Sequence, residues 1–160
     1  MKKMFYLLLV LPLLGLTACS DDDDIPNVDV TVSIEGATRV GDVLYVVEGE
    51  TLSVTSINLV DNTAKGAVIG SASYYWDYYR CYATINRPYG MSLSTADMLL
   101  GNHLLEAVIT IYAVDYAPCQ GYINYKVRIV SSADDIPTDS VAEENPTVKA
   151  MVRIIDDNDD

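Results

Sequence analysis

Val28, Val30, Val32 and Ile34 are separated by Asp29, Thr31 and Ser33, and this two-residue period commits the chain to β-structure from its first apolar run after the leader. A strand with one apolar face must be covered by a second layer. The same kind of run recurs along the chain, with turn residues between. Val40-Gly41-Asp42 leads into Val43–Val47, and Glu48-Gly49-Glu50 turns again. Leu52 and Val54 alternate with Ser53 and Thr55, and an unbroken alternation carries Ser56 and Asn58 to their side. Residues 61–70 read as a loop and 73–83 as one aromatic strand. Residues 86–90 turn around Pro88, 91–93 make a short edge strand, and 95–100 make a helical turn capped by Ser94 or Thr95. Residues 103–114 and 121–130 form the last long pair. Outside the apolar leader no stretch keeps a 3.6-residue period through three turns. The expected class is all-β, a sandwich of antiparallel sheets.

Two details resemble the immunoglobulin-like version of that sandwich. Trp76 stands in mid-strand, where such folds bury a tryptophan between the sheets. Gly101-Asn102-His103-Leu104-Leu105 has the spacing of the Gly-x-Tyr-x-Cys corner, with His103 in the tyrosine's place and Leu105 in the cysteine's. The resemblance is to Ig-like domains of bacterial surface proteins. It covers residues 27–130 and implies no inter-sheet disulfide. Residues 131–146 are rich in Ser, Asp, Glu and Pro and read as a polar linker. Val148, Ala150, Val152 and Ile154 then alternate with Lys149, Met151 and Arg153, so 147–155 is expected as an extra C-terminal strand packing on its own sandwich. The alternative is a strand offered to a neighbouring subunit. Residues 156–160 form an acidic tail.

The leader sets location. Lys2 and Lys3 precede an apolar run over residues 5–16, the layout of a secretory signal and too short to span a bilayer. Leu16-Thr17-Ala18-Cys19 resembles the lipobox of bacterial lipoproteins, which implies removal of residues 1–18 and acylation of Cys19. More than one acyl chain on that residue gives stable membrane attachment without a spanning helix. Ser20-Asp21-Asp22-Asp23-Asp24 makes 19–26 an acidic, self-repelling tether. It is similar to the export signal of surface-exposed lipoproteins, which implies the outer membrane with the domain facing the exterior.

The formal charge is −13, and −15 once Lys2 and Lys3 are removed. Clustered bases for nucleic acid are absent. Most of the acidity lies in the tether and after residue 130; the span 25–130 holds 10 acids and 6 bases. No Gly-x-Ser-x-Gly elbow, His-Glu-x-x-His, phosphate-binding glycine loop or Cys-x-x-Cys pair occurs. His103 is the one imidazole, expected to bond a nearby carbonyl at the corner. Asp77 is the one acid within an apolar run, and the closing Asp-Asp-Asn-Asp-Asp lacks the glycine and distal glutamate of an EF-hand. No catalytic residue, metal ligand or cofactor is assigned. Cys81 and Cys119 remain after acylation of Cys19. An oxidising compartment favours a bridge, but strand placement sets them at opposite ends of a sandwich, so they are expected unpaired.

Tyrosine is the main aromatic, with 12 against one phenylalanine, which lies in the leader. Placing Trp76 inward takes Tyr74 and Tyr78 with it and turns Tyr75, Asp77 and Tyr79 outward. Outward on the next two strands come Glu106, Val108, Thr110 and Tyr112, then Tyr122, Asn124, Lys126 and Arg128. The expected ligand face is therefore Tyr75, Asp77, Tyr79, Thr110, Tyr112, Tyr122 and Asn124. Flat amphipathic rings among hydrogen-bonding groups suit a glycan or a surface protein. Cross-strand aromatic pairs also stabilise a sheet by about 0.2–1 kcal/mol each without any ligand. A C-terminal strand lying over this face would end the binding reading. The expected function is a non-catalytic binding or adhesion module. The alternatives are an accessory subunit of a surface assembly that contributes its last strand and, more remotely, a hydrolase of unrecognised type.

Overall fold

The computed structural model describes residues 27–62, 64–138 and 142–153. The leader, Cys19, the tether, residues 154–155 and the acidic tail lie outside the described residues.

Two sheets face each other. The four-stranded sheet has the order β11 (Thr147–Arg153), β1 (Asn27–Glu35), β4 (Thr51–Asn62), β7 (Met91–Ser94). The seven-stranded sheet has the order β10 (Ala142–Glu144), β2 (Thr38–Val40), β3 (Val43–Val47), β9 (Cys119–Val130), β8 (Gly101–Tyr112), β5 (Val68–Trp76), β6 (Tyr79–Thr84). Pairing is antiparallel except for β3 beside β9. The first long strand joins one sheet, the following hairpin joins the other, and β5, β8 and β9 lie side by side. This is an immunoglobulin-like sandwich with β11 added to its first sheet.

The alternation at the start of the chain does what it promises. Val28, Val30, Val32 and Ile34 are at most 1% exposed. Burial of each such side chain stabilises the fold by about 1.5–3 kcal/mol. They face Leu105, Ala107, Ile109 and Ile111 of β8 and Ile123, Tyr125 and Val127 of β9 in one core. Gly36 ends β1 at φ +75°, with a Cβ position 1.9 Å from the Thr51 carbonyl oxygen, so no other residue fits that corner.

Two strand readings and one helical reading are corrected. In β4 the register against β1 slips between Ser33 and Ile34, so Thr55 is an extra residue and the inward phase changes. Ile57 is buried as a result, and Ser56 and Asn58 are not on the inner side with Val54. The 73–83 run is two strands, because Asp77 and Tyr78 both adopt positive φ (47° and 72°) and close a β5–β6 hairpin. Tyr78 therefore leaves the core and is 82% exposed. Residues 95–100 form no helix: Thr95 is buried, its hydroxyl donating to the Val47 and Glu50 carbonyls, and the Met98 N–H bonds back to the Thr95 carbonyl.

The linker is partly structured too. A 3-10 turn, Ala133–Asp135, is capped by Ser132, and β10 pairs with β2. Beyond it, β11 pairs with β1 over seven register positions, from Ser33 opposite Thr147 to Asn27 opposite Arg153. Val148 and Ala150 pack against the core. The last strand thus completes the edge of the chain's own four-stranded sheet, where it also approaches β9 of the facing sheet.

Candidate functional site

Alternation along β8 and β9 sends Leu105, Ala107, Ile109, Ile123 and Tyr125 into the core and the residues between them to the opposite side. Register then fixes which outward side chains share a row. Tyr75 lies opposite Glu106, and Glu106 opposite Asn124. Arg80 on β6 extends that row on the other side of Tyr75. The next row is Ser73, Val108 and Tyr122, and the one after it Ser71, Thr110 and Gln120. Adjacent strands are about 4.8 Å apart, so the first row crosses four strands in about 14 Å.

The rows are tied by their own hydrogen bonds. Ser71 Oγ donates to Thr110 Oγ1 at 3.0 Å, and the Tyr122 hydroxyl donates to Gln120 Oε1 at 2.9 Å. The Tyr112 ring lies against Gly70, where a Cβ would come within 2.2 Å of it. Gly70 also falls at a register slip between Ile69 and Ser71. The ring occupies space that a side chain at residue 70 would otherwise fill.

Five of the expected ligand-face residues, Tyr75, Thr110, Tyr112, Tyr122 and Asn124, therefore share one surface. Asp77 and Tyr79 do not. The hairpin turn reverses the chain after Trp76, so Tyr79 pairs with Trp76 on the other side of the sheet. Asp77 is turned into a structural contact. Its Oδ2 accepts from His103 Nδ1 at 2.7 Å, its Oδ1 accepts from the Leu104 N–H at 2.9 Å, and its own N–H donates to the Leu104 carbonyl at 2.9 Å. Arg80 joins the face through the same turn. Local pattern could not place it, because β6 was read as a continuation of β5.

His103 holds the corner. Its Nε2 donates to the Leu99 carbonyl at 2.8 Å, as the hydroxyl of a tyrosine corner bonds backbone a few residues upstream. Trp76 is half-buried and stacks on the imidazole, with centroids 5.0 Å apart and planes 23° apart. The fully buried aromatic between the sheets is Tyr74 instead, at 0% exposed. Burial alone would lower the His103 pKa. The bonds to Asp77 and to Leu99 outweigh burial and raise it above its ordinary value. Burial pushes the Asp77 carboxyl up, but the bonds from His103 and Leu104 prevail and hold it below its usual range.

Cys81 and Cys119 are free thiols. They stand on β6 and β9, three strand spacings or about 14 Å apart, beyond the ~7 Å Cα limit of a bridge. Burial pushes both thiols up, away from the reactive thiolate. Non-reducing mass spectrometry of the protein is expected to show both hydrogens retained; a mass two hydrogens lower would contradict the strand order. Among the described residues no group of three or more His, Cys, Asp or Glu side chains is placed to hold a metal ion, and no helix is long and apolar enough to cross a membrane.

No protein-family model matches the chain, and no curated protein matches it. Among solved structures, it is similar to fibronectin(III)-like modules of Clostridium thermocellum CbhA. The identity is 17% and the TM-score 0.36, over 57% of this chain and 94% of that one. So loose a likeness says nothing about activity.

Proposed function

We propose that this chain is a non-catalytic binding module whose ligand surface is the outer face of the seven-stranded sheet. Tyr75, Tyr112 and Tyr122 supply flat contact area, and Arg80, Glu106, Thr110, Gln120 and Asn124 supply hydrogen bonds to a glycan or protein surface. The observation that carries this reading is the position of β11. It pairs with β1 in the opposite sheet, so the strand that could have covered the tyrosines leaves them open. In its N-terminal part, acylation of Cys19 would hold the module on the outer membrane, with the acidic tether spacing it from the headgroups toward the exterior.

The accessory-subunit alternative would require β11 to abandon seven register pairs with β1 before it could be donated. The test of the leading reading is a glycan array and a surface-protein pull-down, followed by titration of each hit. Tyr112→Ala and Tyr122→Ala should each weaken binding about tenfold, or about 1.4 kcal/mol. Tyr79→Ala, on the other side of the sheet, should leave it unchanged. Hits that ignore both face variants, or respond to Tyr79→Ala alone, would remove the outer face as the ligand surface.

A further inference from the structure

His103 lies between two acceptors. Nδ1 faces a carboxylate oxygen of Asp77 at 2.7 Å, and Nε2 faces the Leu99 carbonyl oxygen at 2.8 Å. A neutral imidazole carries one N–H, and only the imidazolium carries two. Both contacts therefore exist together only while the ring is protonated. Stacking on Trp76 also favours the cation.

The two contacts are unequally supported. On the hairpin side Asp77 is held by two further bonds to Leu104, one through its carboxylate and one through its own N–H. On the loop side the Leu99 carbonyl has no second hydrogen-bond partner among the described residues. The other end of that loop is fixed by Thr95, whose side chain and N–H bond the Val47 and Glu50 carbonyls. Loss of the proton to solvent should leave Nδ1–H on Asp77 and set a lone pair of Nε2 against the Leu99 oxygen.

We propose that His103 is a proton-operated latch on the β7–β8 loop, holding Leu99 and Leu100 against the β5–β6 hairpin when protonated and releasing them when neutral. The segment it controls is apolar and exposed. Leu99 is 81% exposed, and Tyr78 and Tyr79, on the hairpin to which Asp77 belongs, are 82% and 81% exposed. The latch sets whether these side chains are held in one fixed arrangement. Asp77 is the charged group acting on His103; β5 presents the Trp76 ring, β9 presents Val127 across the ladder, and the loop presents its Leu99 carbonyl. The latch is independent of the ligand surface on the outer face.

Its pH sense follows from the two shifts. The raised His103 value makes the latch's stabilisation complete below about pH 6.5, the ordinary histidine value, and lost as pH rises through the folded-state value. The lowered Asp77 value keeps its share present above about pH 3.9, and lost as pH falls through the folded-state value. The latch is therefore strongest between about pH 4 and 6.5.

The chain has one histidine and one tryptophan, so both partners can be read without mutation. Imidazole NMR, Trp76 fluorescence and amide protection factors would be followed on the whole chain from pH 5 to 9. The imidazole midpoint should lie above 6.5, and Trp76 fluorescence should rise with the same midpoint as quenching by the stacked cation ends. Protection of the Gly101 amide, at the start of the β8–β9 ladder, should fall at least tenfold across it, while that of Leu104 stays. Asp77→Asn lets the new amide donate to Nδ1, so a neutral ring keeps its Nε2–H on Leu99. That variant should titrate below 6.5 and stay latched to pH 9. His103→Gln should abolish the fluorescence transition. A wild-type midpoint at or below 6.5, or protection at Gly101 that ignores the titration, would overturn the latch.

Discussion

Tyr74→Ala should lower the urea midpoint of unfolding by an amount equivalent to about 3–5 kcal/mol, the cost of truncating a buried aromatic. Tyr74 is at 0% exposure, in the place between the sheets that the sequence pattern gave to Trp76. Its ring packs among the inward residues of both sheets, and the cavity left behind would have few ways to collapse. Its hydroxyl donates to the Tyr89 carbonyl, and the Tyr89 hydroxyl donates to the Ile69 carbonyl. These two bonds tie the turn before β7 to β5. Tyr74→Phe keeps the packing and leaves the Tyr89 carbonyl without that donor, so about 1–2 kcal/mol should go. The gap between the two variants separates packing from hydrogen bonding. Equal losses would mean that the hydroxyl network, not the ring, holds this part of the core.

Truncation after residue 146 should have the other large effect, and it should change association as well as stability. Removing β11 strips seven paired positions from β1 and exposes its backbone donors and acceptors along a strand whose inner face is Val28, Val30 and Val32. An open edge of that kind pairs with other chains. The truncated domain should melt several degrees lower and elute as dimers or larger species, and a synthetic peptide of residues 147–153 should restore the monomer. A truncated chain that stays monomeric with its melting temperature unchanged would show β11 to be dispensable.

The sandwich was legible wherever one strand carried one uninterrupted period. β1, β8 and β9 each alternate without a break, and their inward and outward sets follow residue by residue from the sequence. The two misread strands share one cause, a change of phase inside an apolar run. Thr55 adds a residue to β4 without any glycine or proline to announce it. Tyr78 takes the second turn position, where a two-residue hairpin usually has glycine, so the turn goes unannounced. What supports that turn is Asp77 bonding to His103 and Leu104, more than 25 positions away, which no local window includes. Which outward side chains share a surface was legible on β8 and β9 for the same reason that it failed beyond Trp76: everything on β6 depends on where the chain reverses.

Residue 27 begins β1 directly beside Arg153 at the end of β11, while the His103 corner lies at the far end of the same molecule. A load entering the domain through residue 27 therefore acts along the axis of β1. That strand is hydrogen-bonded on both sides, to β11 and to β4. Tension of this direction shears both ladders at once, so many bonds share the force where peeling would break them one by one. Held from that end while gripping something on its outer face, the module would resist extension through a strand sealed between two neighbours, and β11 is what seals it.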